Sequence, residues 1–154
     1  MKDKGQAIGH LAQEIQAFAE SEAGNGRLKV ERELLATGLA DAQAILGAVF
    51  QDHVSANPPD ENGEITNIYK VGHNTTRLVY VLGDVVVAWL LLRGAEVALE
   101  KLGGEVSAAD QSFYEGKVAA AQFFARNVLP KLAGERAIAE NIDDSIMELD
   151  EAAF

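Results

Sequence analysis

Three histidines, His10, His53 and His73, are the side chains of this sequence best suited by type to bind a metal or move a proton near neutral pH. His10 has Glu14 one helical turn on, His53 follows Asp52, and His73 lies in the polar string Gly72-His73-Asn74-Thr75-Thr76-Arg77. A metal site inside a helical bundle needs Glu-x-x-His pairs from two helices plus further carboxylates. The sequence has no such pair, and with no cysteine it offers no thiolate cluster or cysteine nucleophile. It also lacks a glycine-rich phosphate loop, a GxSxG elbow and an HExxH pair.

The remaining chemical candidate is Asp84, set in the apolar run from Leu78 to Leu92, with Arg77 two turns earlier on the same helical side. A buried unpaired carboxylate costs roughly several kcal/mol, so the expected role is structural, bonded to a Tyr, an Arg or a hydroxyl of a neighbouring helix. A catalytic carboxylate would want a second acid, a nucleophile or a cofactor cradle, and nothing near Asp84 in sequence supplies one. No catalytic residue and no metal ligand is assigned, and cofactor-binding positions stay unknown.

Five helical segments would have to position these residues. Segment 4–21 carries Ile8, Leu11, Ile15 and Phe18 as one apolar stripe and ends at the Gly and Asn residues of EAGNG. Segment 27–56 places Leu28, Leu35, Leu39, Ala42, Leu46, Val49 and Phe50 on one side and Glu31, Arg32, Asp41 and Gln43 on a polar side. It stops at Asn57-Pro58-Pro59-Asp60, where prolines remove backbone donors, and a polar loop follows. Segment 66–102 is the longest and the most apolar.

Within that segment Gly72, Gly83 and Gly94 recur every 11 residues, close to three helical turns, so they share a face. Each costs roughly 1 kcal/mol relative to alanine. The expected return is close approach of a neighbouring helix, with Gly116 and Ala119-Ala120-Ala121 as the natural partner surface; a groove for a thin ligand such as an acyl chain is the alternative. Segment 107–130 opens on Ser107-Ala-Ala-Asp110, a hydroxyl cap with an acid facing the helix dipole. Segment 135–147 is short and polar, and an acidic tail ends the chain.

Together these give one all-α domain over residues 1–154, an antiparallel up-down four-helix bundle with a short fifth helix packed across it. Its 154 residues carry 13 Lys and Arg against 24 Asp and Glu, a formal charge of −11. Such acidity argues against nucleic acid or an anionic membrane as the main partner. The charge is uneven: residues 135–154 hold seven acids and one base, whereas segments three and four are nearly neutral. Those helical faces therefore remain open to an anionic CoA-type ligand or another domain. The apolar run is 15 residues with Asp84 near its middle, short for a membrane span, and the start MKDKGQAIGH lacks an apolar signal core, so the cytoplasm is the expected location.

Three stretches carry a resemblance: GHNTTRLVYVLGDVVVAWLLLRGAEVALEKL, then FYEGKVAAAQFFARNVLP, then the acidic end SIMELDEAAF. In this order they resemble the extra C-terminal helical domain of a subset of bacterial acyl-CoA dehydrogenases, near the long-chain and broad-specificity enzymes. The resemblance covers most of the chain. It implies a parent oxidoreductase of fatty acyl-CoA metabolism that holds FAD between an N-terminal helical domain, a middle β domain and a four-helix domain bearing the catalytic glutamate. None of those domains is in these residues, so no active-site residue carries over. What the resemblance implies here is a non-catalytic accessory domain, with no cofactor of its own, docking on the catalytic body or at an oligomer interface. A free-standing bundle that dimerises or binds an acyl chain or acyl-CoA is the rival reading.

Overall fold

The computed structural model describes residues 5–24, 26–56 and 64–153, and among them every regular element is helical. The protein is an all-α bundle. Helix α1 spans Gln6–Glu20, α2 Lys29–Ser55, α3 Asn67–Leu102, α4 Ala108–Val128 and α5 Leu132–Glu140. A 3-10 turn at Leu129–Lys131 joins α4 to α5, and two further turns, Ser145–Glu148 and Glu151–Ala153, form the tail. Most of the polar loop expected after Asn57 lies outside the described residues.

Local chemistry explains the helix ends. After α1, the chain turns through Gly24 and Gly26 at φ +76° and +79°, the left-handed region that glycine enters without steric cost. At the start of α4, Ser107 Oγ accepts from the Asp110 backbone N–H at 3.2 Å while its hydroxyl donates to Asp110 Oδ2 at 2.8 Å. The Ser107 cap thus satisfies one of the free amides and holds an acid at the positive end of the helix.

Helix α2 lies at the centre, packed against α1, α3, α4 and α5. That position overturns the expectation for three of the four residues placed on a polar side of this helix, while Gln43 is exposed as expected. Glu31, Arg32 and Asp41 are buried, while Phe50, expected on the apolar side, is exposed. Four neighbouring helices cover the sides of α2 that bear Glu31, Arg32 and Asp41, so these charges are enclosed and must find partners, while Lys29 and Glu33 still face water. Around it the core is Ile15, Leu28, Leu35, Leu39 and Ile45 with Val81, Val85, Trp89, Leu92 and Leu99 of α3 and Val118, Ala121 and Ala125 of α4. Each large aliphatic side chain so buried contributes about 1.5–3 kcal/mol.

The glycine expectation is corrected as well. Gly72, Gly83 and Gly94 have nothing within 4 Å of where a Cβ would stand, and Gly116, Ala119 and Ala120 are exposed. Close approach occurs instead at Gly38 of α2, where a Cβ would meet Leu129 Cδ2 at 3.1 Å and Leu132 Cδ1 at 3.3 Å.

The fifth helix also differs from expectation, running Leu132–Glu140 in place of 135–147. Pro130 needs no backbone N–H in the 3-10 turn it occupies, so the chain passes through it directly into a helix that starts three residues early and buries Leu132. By length and apolar composition alone, α2 and α3 reach what a membrane span needs, with mean hydropathy 1.3 and 1.8 over their most apolar windows. Yet only 33% of the α3 window is buried inside the bundle. Much of the apolar surface of α3 is therefore not used by the fold.

Candidate functional site

Asp84 is half-buried at a cleft of about 480 Å³ lined by His73, Thr76, Arg77, Tyr80 and Asp84 of α3 with Lys131, Leu132 and Glu135 from the α5 side. Among the described residues its carboxylate has no hydrogen bond or ion pair of the kind expected. Arg77 turns to Glu135 with an Nη1 ion pair, and its Nε donates to Asn74 Oδ1 at 3.3 Å. Asn74, fully buried, donates from Nδ2 to the Ala139 carbonyl at 3.2 Å. The polar string of α3 therefore works as a clip for α5: Asn74 caps a last-turn carbonyl and Arg77 holds the first turn.

A nucleophile with its base needs the two within hydrogen-bond reach and a third group orienting the base. In this cleft Arg77 is occupied by Glu135, His73 is exposed, and no hydrogen bond joins His73, Tyr80 and Asp84. A second cleft of about 540 Å³ lies between α2, α3 and α5, with Asp52, Lys70 and Glu140 on its rim. Among the described residues no three His, Asp or Glu side chains converge as metal ligands. His10 sits on the surface with Nδ1 3.6 Å from Glu14 Oε1, and His53 is exposed near the end of α2.

Charge is instead invested in holding helices together. Arg126 Nε of α4 donates to Glu31 Oε1 at 2.7 Å, and Arg136 Nη1 of α5 reaches Asp41 Oδ1 at 3.4 Å while its Nε donates to Glu140 at 2.7 Å. These bonds, to Glu140 first and Asp41 second, push the Arg136 pKa above its ordinary value. Sequence reasoning missed the pairs because their partners are 95 residues apart. The only local signal was the presence of acids on α2 at positions whose apolar neighbours, Leu35 and Ala42, are core residues.

The most extensive unpartnered feature is a stripe along the outer side of α3. Thr76, Val79, Gly83, Val87, Leu90, Gly94 and Val97 follow one another at three- and four-residue steps, all are exposed, and none is charged. Val79 is 64% exposed, Leu90 52% and Val97 52%. On α4 a shorter stripe of Phe113, Gly116, Ala120 and Phe123 is exposed too. Such surface on a helical bundle is suited to contact with a partner rather than to covalent chemistry.

Residues 11–150 match the family described as acetyl-CoA dehydrogenase C-terminal like. The whole chain is 46% identical to part of the broad-specificity linear acyl-CoA dehydrogenase FadE5 of Mycobacterium tuberculosis, of which it covers 24%. Over 117 residues, 75% of the chain, it is 29% identical to a butyryl-CoA dehydrogenase of Syntrophomonas wolfei, of which that stretch covers 19%. The chain thus spans about a quarter of the length of the first of these relatives and matches a smaller share of the second.

Proposed function

Because this chain belongs to the acetyl-CoA dehydrogenase C-terminal-like family, we propose that it serves an acyl-CoA dehydrogenase as a non-catalytic helical module that docks on the catalytic body. The observation that carries this reading is the match to FadE5, which runs through all 154 residues yet accounts for only 24% of that enzyme. FAD, and the dehydrogenation of fatty acyl-CoA, belong to the catalytic body; the residues here supply packing surface. The same module contributes to the oligomer interface of the enzyme, and the assembly works in the cytoplasm.

A purified sample of the 154-residue chain tests this directly. It should carry no flavin absorbance and should not turn over acyl-CoA of any chain length. When grafted into FadE5 in place of the matching quarter, it should support flavin retention and turnover, whereas deletion of that quarter should impair them. Flavin retention or turnover by the 154 residues alone would overturn the reading.

A further inference from the structure

The outer stripe of α3 is long, continuous and built for a helix. From Thr76 to Val97 it repeats at an average near three and a half residues, the period at which one helix lies along another with a small crossing angle. Gly83 and Gly94 alternate along it with Val79, Val87, Leu90 and Val97, so that shallow places follow raised ones as ridges and grooves require. Both glycines sit in open space within this chain. Each glycine weakens the helix by roughly 1 kcal/mol relative to alanine, and no helix of the bundle uses the closeness it permits.

We propose that this stripe seats a helix of the catalytic portion of an acyl-CoA dehydrogenase, presenting an uncharged aliphatic ridge that fits between Val79, Leu90 and Val97 over Gly83 and Gly94. The proposal rests on the accessory-domain reading above and adds the surface and the kind of element that meets it. Size selects this occupant over a second copy of the chain. From Thr76 to Val97 the stripe is about 32 Å long and about 10 Å wide, so it buries about 320 Å² a side, or about 640 Å² in all. Separate molecules generally need upwards of about 1,000 Å² to associate stably. A partner on the same polypeptide does not, because tethering raises its effective concentration to the order of millimolar. In FadE5 about three quarters of the polypeptide lies outside the matched part and is tethered in this way.

The absence of native cysteine makes the test clean on this chain. Single cysteines are placed at Leu90 in the stripe, at Phe123 on α4 and at Lys29 at the start of α2, and maleimide labelling of each is timed by peptide mass spectrometry. The isolated chain is compared with a FadE5 chimera carrying the chain in place of its matching quarter. The expected result is fast labelling at all three sites in the isolated chain and a slowing on the order of tenfold or more at position 90 alone in the chimera. Gly83→Gln with Gly94→Gln should restore fast labelling there while the isolated variant melts no lower than its parent. Protection at 123 but not at 90 would overturn the stripe as the seat while leaving docking intact. No protection anywhere would remove the docking reading as well. Protection at 90 in the isolated chain that grows with its concentration, or only on adding phosphatidylcholine vesicles, would assign the stripe to a second copy or to lipid and overturn the proposal.

Discussion

Glu31 is fully enclosed at the start of α2, and the group that neutralises it, Arg126, stands on α4 with about half of its side chain in water. Nε of Arg126 donates to Oε1 of Glu31 at 2.7 Å, while Oε2 finds no donor among the described residues. An acid held in this way depends on a single partner. Removing that partner should cost much more than removing the pair.

For Arg126→Met, a loss of about 3 kcal/mol is expected, at the lower end for a broken buried pair because the guanidinium is half solvated. For Glu31→Leu combined with Arg126→Met, the loss should fall below about 1 kcal/mol, since no charge is then left buried. Urea unfolding followed by Trp89, the one tryptophan and a core residue, measures both. Equal losses for the single and double variants would show that Glu31 is stabilised by something else.

Glycines should divide by location. Gly83→Ala and Gly94→Ala each enter open helical surface and should stabilise the isolated chain by about 0.5–1 kcal/mol. Gly38→Ala gains the same helix propensity but pushes a methyl to 3.1 Å from Leu129 and 3.3 Å from Leu132, both almost fully buried. Overpacking of this kind costs about 1–3 kcal/mol, so the net change should be a loss. The ranking of urea midpoints checks the sign at each position.

Asn74→Ala should free α5 before it disturbs α3. The substitution removes the donor to the Ala139 carbonyl and the acceptor for Arg77, at about 1–3 kcal/mol. Amide hydrogen exchange should speed up over residues 132–140 and stay unchanged over residues 81–99. Uniform acceleration in both segments would show that the clip supports the whole bundle.

Acid should release the tail turn first. The hydroxyl of Ser145 and then its backbone N–H donate to Asp143, and with Lys70 nearby they hold its carboxyl below its ordinary value of 3.8. A depressed carboxylate pKa means that the contribution is complete above that ordinary value and is lost as pH falls through the lower folded one. Asp143 is at the surface, so the consequence is local: the turn Ser145–Glu148 should loosen in acid while α1 to α4 persist. Carboxyl carbon shifts in an NMR titration would show the low value, and Ser145→Ala should return it to the ordinary range.

The helices were readable because their signals are local. Ser107 and Asp110 lie three residues apart and meet across one turn wherever α4 sits, and Gly24 and Gly26 follow the last turn of α1 as the sequence of that junction demands. The end of the chain was less legible. Segments bounded at 107–130 and 135–147 leave a gap after Pro130, and only the 3-10 geometry there shows that the chain leads directly into α5. The candidate surface was half legible: an 11-residue spacing places Gly72, Gly83 and Gly94 on one face, but α3 is apolar on most sides, so its pattern does not say which face is inside.

What the sequence by itself determined was the number of main helices, the capping at Ser107, the shared face of the three glycines and a resemblance specific enough to name the family. Tertiary structure alone decided that this glycine face points outward, that Gly38 meets Leu129 and Leu132 at close range, and that buried Glu31 and Asp41 pair with Arg126 and Arg136. The physical reason is reach. Capping, turns and helical periodicity act over three or four residues and are written in adjacent letters, whereas burial of a charge 95 residues from its partner depends on how completed helices pack.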